Sequence, residues 1–342
     1  MCIRDRLMIV AGVLVAIKFI QGNKIKQTQT SAGVEENKEP EKEVIKLPTT
    51  FAGKDRPIAV MIDNNINAMP QAGLLEADLV YEIIVEGGET RMMAVLKGKD
   101  VEKIGPVRSS RHYFLDYALE NDAIYVHFGW SPQAESDIST MGVNNINGLY
   151  YDGSYFWRVS EKYAPHNAVI STKNILKVAE NNEYRTTSEQ KPVLNYVADE
   201  IELEDGKEAE TITIPYSDYN TVKYTYNEDK KEYVRYSRGK KQVDWNTDTT
   251  ITTKNIIVTF AENYSLNDGS GKGRQGLENI GKLKGYYITN GKAIEITCEK
   301  NSRTTQTVYK DLQGNEIKVN DGKTFIPVSY THLRAHETEL HL

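Results

Sequence analysis

Cysteine is nearly absent: the 342-residue chain holds only Cys2 and Cys298, almost its full length apart. That excludes a disulfide framework and a cysteine metal cluster, so the fold must rest on packing. Excess positive charge is also lacking. The formal net charge is −6 and is spread along the chain, which argues against duplex nucleic acid as a partner. No apolar run reaches the roughly 20 residues that span a bilayer as a helix. Nucleophile signatures are missing too: Ser109 and Ser110 lack the glycine elbow that exposes a catalytic serine, and Cys298 lies in a strand pattern. Gly271-x-Gly273-x-x-Gly276 has the letters of a dinucleotide fingerprint, but it sits among β hairpins without an α/β unit, and Gly273 after Lys272 breaks the Walker pattern. A basic loop reaching an acidic glycan or the first domain is its expected use. No cofactor and no metal are expected.

What is present has a globular balance, 39% hydrophobic and 26% charged, enough for one large or two medium domains. Tyrosine is abundant, 21 against 7 phenylalanines, and it gathers with threonine in the second half, where both favour half-buried strands. Residues 1–6 and 329–342 resemble translated adapter read-through and are set apart from the fold. This removes Cys2, His332, His336 and His341 from any site and leaves His112, His127 and His166. LMIVAGVLVAIKFI, residues 7–20, suits a signal or membrane anchor, and the Gln-, Glu- and Lys-rich residues 21–48 suit a disordered tether.

The globular part then divides in two. RPIAVMID is a buried strand, and LVYEIIVEGGETRMMAVLKGK reads as two strands around Gly87-Gly88. In the first of these, Leu79, Tyr81, Ile83 and Val85 share one face, while Glu82 and Glu86 share the other. A helix follows GPVRSS with Phe114, Leu115, Ala118 and Leu119 inward. AIYVHFG is a further strand, and Ser131-Pro132 starts a helix as N-cap and first helical residue. From about residue 210, short alternating segments broken by DKK, TNGK and NDGK read as antiparallel hairpins. The expected fold is α+β: a mixed-sheet α/β N-terminal domain at 49–200 and an antiparallel β-rich C-terminal domain at 201–328.

Polar residues cluster at the strand ends, where α/β sheets collect ligands. Asp63 and Asn64 follow the first strand; Glu86, Glu89 and Arg91 surround the hairpin turn. Arg108, Ser109, Ser110 and Arg111 precede the helix, His127 and Ser131 belong to the next strand and its end, and His166 and Asn167 lie in the APHNA loop. A helix N-terminus with free N–H groups, serine donors and two guanidinium forks suits a carboxylate or phosphate, with Ser109 or Ser110 expected to cap the helix. Each residue also has a structural role open to it. Asp63 and Asn64 can cap a turn, the arginines can pair with Glu86 and Glu89, and His127 can be a satisfied core residue.

MIDN (61–64), ADLVYEIIVEGGETR (77–91), IGPVRSSRHYF (104–114), HFGWSP (127–132) and APHN (164–167) resemble the YerB-like family of Gram-positive cell-envelope proteins, a domain of unknown function. The second half, from YVRYSRGKKQVDW to GNEIKVNDGKTFIPV, is similar to that family's C-terminal domain. The resemblance implies an extracytoplasmic location, two coupled domains and a lipoprotein-like anchor, with no established reaction. Trp130 departs from the family pattern, which has a second glycine there, and no cysteine follows the apolar run. The expected function is a membrane-tethered module that binds an anionic cell-wall glycan or an envelope protein. The alternative is a wall hydrolase or transferase using Glu86 or Glu89 with His166.

Overall fold

A continuous apolar run such as IAVMID needs cover on both faces, and β1 (Ile58–Asp63) has it, with all six residues buried. The computed structural model describes residues 46–329. The anchor, most of the tether and nearly all of the tail expected from the sequence lie outside the described residues. Among those described, no helix is long and apolar enough to cross a membrane.

In the first half, β1 is followed by β2 (Leu79–Ile84), β3 (Thr90–Leu96), α1 (His112–Glu120), β4 (Ile124–His127), α2 (Pro132–Thr140), β5 (Asn145–Asn147) and α3 (Thr172–Asn181). The second half contributes β6 (Thr211–Ser217), β7 (Asn220–Asn227), β8 (Glu232–Ser237), β9 (Asn255–Phe260), β10 (Gly281–Thr289), β11 (Lys292–Lys300), β12 (Val308–Lys310) and β13 (Thr324–Ser329). The α+β character read from the sequence is present, and the sheet is mixed: β1 runs antiparallel to β3 and parallel to β4. Asp63 lies opposite Arg91 and Ile62 opposite Met92. β2 and β3 form the expected hairpin, with Ile84 opposite Thr90.

The halves do not build separate sheets. The main sheet runs in the order β12-β11-β10-β9-β13-β2-β3-β1-β4-β5. β13, from the end of the described chain, lies parallel to both β9 and β2 and joins the halves. Ser329, placed with the foreign tail by sequence, is the last residue of this strand. β6, β7 and β8 belong to a second, antiparallel sheet.

Strand alternation distributes two cores. Val60, Ile62, Val80, Ile84, Met92 and Ala94 pack with Ile214, Tyr216, Tyr224 and Tyr233 of the second sheet. Met61, Tyr81, Ile83, Met93 and Val95 pack with Tyr113, Phe114 and Tyr117 of α1. Phe114, Leu115 and Ala118 are buried and Leu119 packs at the core's edge, so the inward stripe is as expected.

Glu82 and Glu86 do not share a face, contrary to the alternation argument. β2 ends at Ile84, and residues Glu86–Gly88 form a one-turn 3-10 helix with Gly87 at φ 66°, which ends the two-residue period. The loop before Arg108 has its own glycine requirement. Gly105 has φ 138°, and a Cβ there would lie 2.8 Å from the Val107 nitrogen and 3.0 Å from the Ala168 oxygen, both backbone atoms.

Candidate anion site at the end of the main sheet

The alternation that sorts the core also sorts the polar residues after it. Asp63 and Arg91 continue the Met61/Met93 face toward α1, while Asn64 turns to the opposite side. Chain entry beside β1 is fixed by backbone bonds: Asp63 N–H donates to the Pro106 oxygen at 2.8 Å and Arg108 N–H to the Met61 oxygen at 3.0 Å. Arg108, Ser109 and Arg111 therefore arrive next to Asp63 and Arg91.

Three guanidiniums meet here. Arg111 is held by Glu86 in a two-pronged pair, Nε to Oε1 at 2.6 Å and Nη2 to Oε2 at 2.8 Å. Arg108 Nε lies 3.1 Å from Asp63 Oδ2, an ion pair, and its Nη1 donates to the Pro165 oxygen at 3.5 Å. Arg91 has no carboxylate within salt-bridge distance among the described residues; its Nη1 donates to the Ser109 carbonyl at 2.6 Å. Burial lowers the Arg91 pKa, and the neighbouring charges of Arg111 and Arg108 lower it further, to about 9. Burial pushes the Glu86 carboxyl up, but the Arg111 hydrogen bonds and charge, with Arg91 behind them, outweigh it and hold the group below the usual carboxylate range. Glu86 is therefore ionised at neutral pH and is not a proton donor there.

Asp63 Oδ2 also lies 2.7 Å from His166 Nδ1. The carboxylate thereby fixes the ring, leaving Nε2 without a hydrogen bond among the described residues. The Ser109 hydroxyl likewise makes none there. The Arg108 and His166 side chains are 24% and 18% exposed, against 5% for Asp63, so this group reaches solvent through the arginine and the histidine. Three cations against the two carboxylates Glu86 and Asp63 leave one positive charge before His166 is counted.

The other candidate residues are engaged internally. Asn64 is fully buried; its Nδ2 donates to Glu82 Oε1 at 2.9 Å and to Thr90 Oγ1 at 2.7 Å. Glu89 pairs with Arg238 and accepts from Asn65. His127 Nδ1 is 2.8 Å from the Gly129 oxygen, and burial pushes its imidazole down to about 4, which makes it the satisfied core histidine. Trp130 lies against that ring, with centroids 5.5 Å apart. Ser131 caps α2 by accepting from Ala134 N–H, as expected. Asn167 accepts from Arg158 at 2.9 Å.

Capping of α1 needs correction. Arg111 is its N-cap and makes no side-chain cap bond. Ser110 is fully buried and accepts from the Tyr125 hydroxyl at 2.8 Å, so its oxygen points into the core rather than along the helix.

Sequence reading missed the second half's contribution. Arg235 and Glu82, both fully buried, pair at 2.7 Å between the sheets. Arg235 also donates to Gln242 and Tyr224, and Gln242 reaches Gln71, which donates to Asn64 Oδ1. This chain of polar groups runs from the second sheet to the residue beside Asp63. A signal existed: in EYVRYS, Arg235 shares the two-residue period of the inward Tyr233, which placed a cation on a core-facing row. The glycine-rich loop does reach the first half. Its Asp268, paired with Arg274, accepts from Gln133 of α2 at 3.1 Å.

Comparison with known proteins matches residues 47–185 to the N-terminal domain of a protein family of unknown function, DUF3048, and residues 212–326 to its C-terminal domain. The chain belongs to the DUF3048 family. It is 34% identical over 277 residues to the protein named "Putative lipoprotein YerB" of Bacillus subtilis (strain 168), covering 80% of this chain and 78% of that one. The crystal structure of the Bacillus subtilis YerB protein superposes with a TM-score of 0.74 at 31% identity, covering 83% of this chain and 96% of that chain. All the residues from Asp63 to Asn167 fall within the DUF3048 N-terminal match, whereas Arg235, Arg238 and Gln242 fall within the C-terminal match. The buried Glu82–Arg235 pair and the Glu89–Arg238 pair thus link the two matched regions, and Glu82 and Arg238 both contact Asn64, the residue after Asp63.

Proposed function

We propose that this is a membrane-tethered, extracytoplasmic envelope protein that binds an anionic cell-wall component at Arg91 and Arg108. One observation carries the reading: three converging guanidiniums face two carboxylates, and among the described residues Arg91 is held only by a carbonyl. A bound carboxylate or phosphate would complete that charge balance through bidentate bonds. The relative named as a lipoprotein supports the tether and the envelope setting.

A second reading, a wall hydrolase or transferase, is favoured by the Asp63–His166 pair, in which a carboxylate orients an imidazole whose Nε2 has no hydrogen bond among the described residues. Glu86 and Glu89 do not favour it, since both are committed to arginines.

Retention of the purified chain on isolated peptidoglycan, followed by mass spectrometry of the supernatant, separates the two. Binding that Arg108→Gln weakens at least about tenfold, with no released fragments, is the expected result. Fragments that disappear with His166→Gln would replace the binding reading by the enzymatic one, and wild-type retention by Arg108→Gln would sink the anion site.

A further inference from the structure

A cavity of about 310 Å³ lies between the turn at residues 66–70 and the hairpin that follows β8. None of the residues of the anion site lines it. Its walls are of two kinds. Ile66, Met69, Pro70 and Val243 are apolar, and Ile66 is 58% exposed. The opposite wall is basic: Lys240 and Lys241 are exposed and make no ion pair among the described residues.

Two polar atoms on the basic side lack partners. Ser237 is 2% exposed, and its Oγ makes no hydrogen bond among the described residues; neither does the buried Nε of Arg238. Buried donors without partners are costly and rare in native proteins. Ser237 lies opposite Lys240 in the hairpin register, so the orphan hydroxyl shares a strand face with the Lys240 ammonium, while Lys241, opposite Tyr236, alternates to the other face.

We propose that this cavity binds a small amphiphilic anion: one phosphoryl or carboxyl headgroup on a short apolar body. The headgroup takes the Ser237 and Arg238 donors and the charge of Lys240, with Lys241 adding a positive charge at the rim. Its apolar part covers Ile66, Met69, Pro70 and Val243. The volume lies at the small end of ligand cavities, so a headgroup and a few carbons fit, while a glycan strand does not. A neutral amphiphile would leave the basic wall uncompensated, and inorganic phosphate would leave the apolar wall uncovered.

Calorimetric titration of the full chain with octyl phosphate below its micellar concentration tests this, beside octyl glucoside and inorganic phosphate. Saturable 1:1 binding of octyl phosphate, at least about tenfold tighter than either comparator, is expected. The variant K240Q/K241Q alters only exposed side chains and should lose about tenfold in affinity. The titrations are run in the Arg108→Gln background, so that the octyl phosphate binding they read is not binding at the anion site. Phosphatidylglycerol vesicles that retain the wild type better than K240Q/K241Q would identify a membrane lipid as the source of the headgroup; equal retention alongside octyl phosphate binding would identify a soluble amphiphile. Equal affinity for octyl glucoside, or full affinity in the lysine variant, would overturn the proposal.

Discussion

Replacing Glu82 by Gln removes one charge from the centre of the molecule with almost no change in shape. Glu82 Oε2 accepts from Arg235 Nη2 at 2.7 Å, and both side chains are fully buried. Oε1 accepts from Asn64 at 2.9 Å and from the Thr90 hydroxyl at 2.9 Å. A glutamine keeps the Oε1 bonds but turns an amide donor toward the guanidinium, so the Arg235 cation is left buried without a counter-charge. Breaking a buried pair from one side costs about 3–5 kcal/mol, a large share of the roughly 5–15 kcal/mol that stabilises a typical domain. The variant should fold, with its urea midpoint lowered at an unchanged slope. Arg235→Met should cost about as much, because it strands Glu82 in the same way. The double variant no longer contains a bare charge, so its loss should fall short of the sum of the two single losses by at least about 2 kcal/mol. A single-variant loss below about 1 kcal/mol, or strict additivity, would refute the claim that this pair joins the two sheets.

Two further outcomes follow from particular atoms. Gly105→Ala places a Cβ against two backbone atoms at a positive φ, so thermal unfolding should show a loss of roughly 1–3 kcal/mol; an unchanged melting temperature would mean the loop carrying Arg108 is not held as described. His127 has a folded-state pKa near 4, below its ordinary value of 6.5. In that window the unfolded chain binds more protons, so stability falls as pH drops from 6.5 toward 4, by up to about 3 kcal/mol from this group. Urea midpoints measured across the window should fall less steeply in His127→Gln than in the wild type, and parallel profiles would contradict a buried neutral imidazole.

Local patterns made much of this fold readable. The hairpin around Gly87-Gly88, the Ser131 cap and the inward face of α1 follow from period and turn chemistry, which act over a few residues. Family membership was readable for a related reason, since the motifs from MIDN to APHN fall within the DUF3048 N-terminal match. The site was legible only in outline. That Asp63, Arg91 and Arg108 come together could be anticipated from their positions at strand ends, with His166 brought in by the APHNA loop. Which of their neighbours face the core could not, because a serine before a helix can point along its axis or into the sheet, and Ser110 does the latter.

By itself, the sequence determined which residues share a face for as long as a strand or helix lasts, because side-chain direction is set by backbone geometry; it did not show that β2 stops at Ile84, so its pairing of Glu86 with Glu82 failed. It assigned Glu82 to the side of its strand away from Tyr81, and left Asp63 and Asn64 together at the end of β1. Only the tertiary structure decided what those sides meet. The second sheet covers one, making Asn64 and Glu82 parts of a buried network with Arg235, and the approach of Arg108 and His166 gives Asp63 its partners. β13 returns to lie beside β2 with Thr324 opposite Leu79, a pairing across most of the chain. Backbone ladders of that range are selected by the sum of both cores, and no local period encodes them.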